Sequence, residues 1–161
     1  MTTKADYTDE EWAGIVRAPM LAGAYIAVSD MSFFGMIGEM QGLVRAMNEK
    51  PAPDGATDLV AAVVADLQAS EDAKEKLKLP ETKNSATQAA QLVHQLGLDL
   101  EVLDRKSTPE ETRAFKDWLM GIALAVAEAT KEGGFLGVGA VRVSDKEQLA
   151  LATLKRELGV Y

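Results

Sequence analysis

Two carboxylates carry the first chemical signal in this chain. Asp30 closes the stretch Gly23-Ala24-Tyr25-Ile26-Ala27-Val28-Ser29-Asp30, and Glu128 closes Gly121-Ile122-Ala123-Leu124-Ala125-Val126-Ala127-Glu128. Three of the eight paired positions are identical, and Ile/Leu, Ser/Ala and Asp/Glu are close substitutions. Each acid stands about two helical turns beyond its glycine and about one turn beyond a large aliphatic residue, Ile26 or Leu124. A carboxylate in that place faces the negative end of the helix dipole, at a cost of a few tenths to about 1 kcal/mol. Burial beside a second acid adds to the cost unless a cation lies between the two. Oxygen ligands meeting in this way suit a hard divalent cation. Glu39, the lone acid of an apolar segment, and Asp66 are further oxygen donors, and spacing does not choose between them. Each acid also has an ordinary role open to it. Asp30 can cap a helix starting near Ser32, and Glu128 can face solvent beside Lys131.

Other chemistries find little support. The chain has no cysteine, which removes disulfides, thiolate catalysis and sulfur-ligated metal centres. His94 is the single histidine, so His-Glu-x-x-His zinc sites and paired Glu-x-x-His di-iron sites are excluded. A Ser-His-Asp triad would have to use His94, and no strand-turn-helix nucleophile elbow accompanies it. The loop Gly133-Gly134-Phe135-Leu136-Gly137-Val138-Gly139 lacks the preceding strand, the lysine and the hydroxyl of a phosphate-binding loop. No residue takes a catalytic or cofactor-binding role, and an enzyme is not expected.

Helices must position the two acids. Thr8-Asp9-Glu10-Glu11, Thr108-Pro109-Glu110-Glu111 and Ser144-Asp145-Lys146-Glu147 all read as capping boxes, in which the hydroxyl and the glutamate satisfy each other's backbone amides. The first helix starts at residue 9, and Pro19 either kinks it or begins a second helix reaching about residue 29. Residues 32–48 carry Phe33, Met36, Ile37, Met40, Leu43, Val44 and Met47 at helical spacing, interrupted by Gly35, Gly38 and Gly42. Helices follow over 57–68, 70–77 (short and charged) and 85–103. Residues 109–131 form the clearest element, with an apolar stripe from Phe115 and Trp118 to Val126 and Ala129. The last helix spans 145–158, with Gly159 as its left-handed cap. No segment alternates with the period of a strand. The expected fold is all-α, a single-domain helical bundle (1–161) of seven or eight helices with pseudo-twofold related halves.

Composition agrees with that architecture. Hydrophobic residues make up 47% of the 161 positions and aromatic residues only 6%, a palette that favours helices over sheets. A net charge of -8 repels phosphate backbones and anionic lipid, so neither nucleic acid nor membrane insertion is expected. The longest weakly charged stretch, 18–38, is broken by Pro19, Asp30 and glycines, and residues 1–6 lack signal-peptide order. A cytoplasmic protein is expected.

The closing segment, Val143-Ser144-Asp145-Lys146-Glu147 followed by Leu149, Leu151, Leu154, Leu158 and Gly159-Val160, resembles that of TerB-like proteins, the tellurite-resistance family. The stretch 22–30 resembles the first-half counterpart, a helix ending on an acid. The resemblance covers about a third of the chain. It implies an all-helical fold built from two related halves and a divalent cation held by Asp30 and Glu147, to which the internal echo adds Glu128. One departure is plain. The family places an Asp-Gly pair before the Val-Ser-x-x-Glu segment, and this chain has Gly139-Ala140-Val141-Arg142; Asp30 is likewise followed by Met31. The functional expectation is a non-enzymatic module of tellurite or stress response, acting by divalent-metal or protein binding. The alternative is a metal-free helical interaction scaffold, which would bind a partner or a second copy through the Gly/Met-rich segment 32–48.

Overall fold

The computed structural model describes residues 1–29, 52–69, 85–132 and 143–160, together with Met47 and Glu49. Five α-helices stand among these residues: α1 (Asp9–Ser29), α2 (Thr57–Ala69), α3 (Ser85–Lys106), α4 (Pro109–Glu132) and α5 (Asp145–Leu158). A single turn of 3-10 helix, Lys4–Asp6, precedes them. There is no strand among the described residues, so the chain is all-α. The helices expected over 32–48 and 70–77 and the glycine-rich loop 133–139 lie outside the described residues, except Met47, which is helical and buried.

The centre of the bundle is α1. It packs along α3 most extensively, then on α4, and also touches α2 and α5. A helix enclosed on several sides must be apolar nearly all round, and α1 buries Trp12, Ile15, Met20, Leu21, Tyr25 and Ile26. Its length and composition alone would let it cross a membrane, but 61% of the apolar window is buried inside the fold. Pro19 does not divide it, because α1 is one helix of 21 residues with Pro19 in its interior. An interior proline costs an isolated helix about 3 kcal/mol or more. Here Ala18, Pro19 and Met20 are all buried, and packing on both sides of the proline outweighs its local preference.

Local capping chemistry sets the other boundaries. Thr8 and Glu11 form their box, with the Glu11 amide donating to Thr8 Oγ1 at 3.2 Å and the Thr8 amide donating to Glu11 Oε2 at 2.8 Å. Ser144 and Glu147 do the same for α5, and Gly159 ends that helix at φ 68°. Only half of the expected box at Thr108 forms. The Glu111 amide donates to Thr108 Oγ1 at 3.2 Å, but the Glu111 carboxylate turns away to the N-terminal segment. The core lies where α1, α3 and α4 meet, and Ile15, Ile26, Leu96, Leu103, Phe115, Leu119 and Ile122 are fully buried there.

Asp66 of α2 ties the chain start to this core. It accepts from Lys4 Nζ and Trp12 Nε1, each at 2.7 Å. The hydrogen bond from Lys4, and then the one from Trp12, hold its carboxyl below the ordinary aspartate value. Lys106 lowers Glu11 in the same way, and the Thr3 amide lowers Asp6. Since these folded values lie below the unfolded ones, acidification loads more protons onto the unfolded chain. The stabilisation is whole above the ordinary carboxylate range and is lost as pH falls through the lowered folded values. Melting curves of wild type and Asp66→Asn from neutral pH down to about pH 3 check this, because the wild type should fall more steeply below about pH 4. Equal slopes would remove Asp66 from the account.

Candidate functional site

The expected acids are differently placed. Asp30 lies just past the end of α1, outside the described residues. Glu128 is exposed on α4. Glu147 is buried at the start of α5, where its Oε2 accepts the Ser144 amide at 2.8 Å. The motif's glutamate thus serves locally as the cap of its own helix. Residues 23–29 of the first echoed stretch lie inside α1 and the whole of the second lies inside α4, each helix continuing through its glycine, and these helices pack on each other. Their matched positions are not buried alike. Ile26 is fully buried, whereas Leu124 is 40% exposed. The reason is position in the bundle: α1 is enclosed, whereas α4 buries one stripe and carries Leu124 outside it.

Two further buried carboxylates tie distant parts of the chain together. Asp99 on α3 receives Arg17 of α1 in a fork, Nε to Oδ2 and Nη2 to Oδ1, each at 2.5 Å. Gln95 Nε2 donates to Oδ1 at 2.8 Å. Gly14 makes room for the group, since a Cβ there would stand 3.3 Å from the Asp99 carboxylate. The hydrogen bond from Arg17 to Asp99 raises the guanidinium above even its ordinary pKa. Arg17 is therefore a permanent cation that couples α1 to α3.

Glu111 is the second. It is 1% exposed. The Thr2 amide donates to both of its oxygens, at 3.0 and 3.1 Å, and the Thr2 hydroxyl donates to Oε2 at 2.9 Å. Tyr7 in turn donates its phenol proton to Thr2 Oγ1 at 2.7 Å and lies 2.8 Å from Ser107 Oγ. Donor direction then runs from Ser107 through Tyr7 and Thr2 to Glu111, a closed clamp on the chain start. Lys106 closes it from outside, bonding the Asp6 carbonyl at 3.1 Å and Glu11 at 2.6 Å. Both carboxylates are engaged in contacts that serve the fold.

One concave surface among the described residues has the makings of a binding site. A groove of about 280 Å³ runs beside α3, with α5 on the far side and Lys116 of α4 at one end. His94, Gly97 and Glu101 come from α3, and Glu157 from α5. Lys116 Nζ bonds both oxygens of Asp104, at 2.9 and 3.2 Å. With three carboxylates against one ammonium, the groove is acidic.

No family model matches this chain, and neither do any curated protein or solved structure. The reading of the site therefore rests on its own chemistry. His94, the sequence's single candidate acid-base group of its kind, is exposed at this groove and faces no described serine or threonine nucleophile in its lining. One polar atom stands apart. Trp118 Nε1 is buried with no acceptor among the described residues, a cost on the order of 1–3 kcal/mol. The ring's packing against Phe115, at a centroid distance of 5.5 Å, offsets it.

Proposed function

We propose that this chain is a non-enzymatic, cytoplasmic, TerB-like module of tellurite or stress response, acting by divalent-metal or protein binding. The observation that carries the reading is the direct packing of α1 on α4, the two helices bearing the echoed stretches. The ordered start and end of α5, with its Ser144–Glu147 box and left-handed Gly159, agree with the family's closing segment. On this reading the full bundle has seven or eight helices in two related halves. Asp30 and Glu128 are the oxygen donors at the helix ends, and Glu147 orders the neighbouring helix start.

Thermal unfolding in Ca²⁺, Mg²⁺ and Zn²⁺ tests the cation. An ion bound only by the folded chain, at about 100 times its dissociation constant, adds about 2.7 kcal/mol. The stabilisation should vanish in Asp30→Ala. No shift with any of the three ions, or an undiminished shift in Asp30→Ala, would remove the metal from the proposal. The metal-free scaffold relies on segment 32–48, which lies outside the described residues except for Met47.

A further inference from the structure

The groove beside α3 contains a glycine that the fold itself does not need. Gly97 lies in the middle of α3, and glycine is among the poorest residues for a helix interior. A close neighbour is the usual reason for such a residue, as at Gly14, where Asp99 presses in. At Gly97 an added Cβ would meet nothing within 4 Å. The space left by the missing side chain opens outward, onto the groove. Beside it Leu98 is 48% exposed, above a floor formed by the buried Leu100 and Leu158.

The charge around this apolar surface is one-sided. Lys116 is bound to Asp104 and the exposed Arg156 lies 3.3 Å from Glu157, which leaves Glu101 as the carboxylate in surplus. From Val93 to Asp104, α3 offers a wall about 16 Å long, close to three helical turns. A trough of that length, apolar along Val93, Gly97 and Leu98 and acidic at Glu101 and Glu157, matches a helix bearing one apolar stripe and basic flanks. A second copy of this chain fits poorly, because each copy carries a net charge of -8.

We propose that this groove docks a basic amphipathic helix of a partner protein. The helix's apolar residues at i, i+3 and i+4 sit over Gly97 and Leu98, and its lysines or arginines lie beside Glu101 and Glu157. The proposal uses none of Asp30, Glu128 or Glu147, so it stands or falls apart from the cation site.

A labelled helical peptide of about four turns, with leucines on one face and lysines on the other, is a direct probe. Its fluorescence anisotropy is followed against the full chain at physiological ionic strength. Saturable binding is expected. Gly97→Phe should weaken it by about tenfold or more while leaving the melting temperature intact, since the new ring fills only the groove. Glu101→Lys should weaken it similarly. Glu110→Lys, at a site against Gly55 and away from the groove, should change it by less than about twofold. Unaltered binding by Gly97→Phe would overturn the proposal, as would equal losses in Glu101→Lys and Glu110→Lys. Displacement of the peptide by spermidine at similar concentration would show a small-cation site instead. Self-association sensitive to Gly97→Phe would assign the groove to a second copy.

Discussion

Arg17→Met is expected to destabilise the fold by about 2–3 kcal/mol. Breaking a fully buried ion pair costs about 3–5 kcal/mol, because the surviving charge is stranded. The Asp99 side chain is only 6% exposed, but that of Arg17 is 47% exposed, so water can partly reach the site and the lower figure applies. After the substitution Asp99 keeps Gln95 and loses both guanidinium bonds. Arg17→Met/Asp99→Asn should recover at least half of the loss. Asparagine is of the same size and fits the space beneath Gly14 where a leucine would not. Urea unfolding of the wild type, both single variants and the double variant supplies the cycle. A single-variant cost below about 1 kcal/mol, or no recovery in the double variant, would mean that the pair does not couple α1 to α3.

Glu111→Ala should cost a comparable amount, about 2–3 kcal/mol, by stranding the Thr2 amide and hydroxyl in a half-buried place. Its signature is local. Amides of residues 2–7 should lose protection from hydrogen exchange while those of Leu96 and Leu119 in the core keep most of theirs. Removal of residues 1–3 should produce the same loss. Combining it with Glu111→Ala should add little, because both changes break one clamp. Full additivity would show that Glu111 supports the fold through something other than Thr2.

Much of the fold is written in short-range chemistry. The starts of α1 and α5, the end of α5 at Gly159 and the apolar stripe of α4 follow from caps and helical period, signals that need no knowledge of tertiary contacts. The course of α1 through Pro19 does not follow from them, because burial on both sides of the proline decides it. Glu111 shows the same limit from another side. Its spacing from Thr108 spells a capping box, but a partner 109 residues away in sequence takes the carboxylate. The Arg17–Asp99 fork joins residues 82 apart, and nothing local marks either one as buried. Gly97 was the readable sign of the groove, a glycine inside an otherwise regular apolar pattern, next to Leu98 and near His94. Asp30 and Glu128 stand out because they interrupt apolar stretches, and pattern alone cannot tell a ligand from a solvated helix end.

Calorimetric titration of the purified chain with Ca²⁺, Mg²⁺ and Zn²⁺, repeated on Asp30→Ala and Glu128→Ala, bears most directly on the binding function. One saturable site per chain for at least one ion, lost in both variants, is the predicted result. Heats no greater than dilution for all three ions, or a site equally strong in both variants, would contradict it.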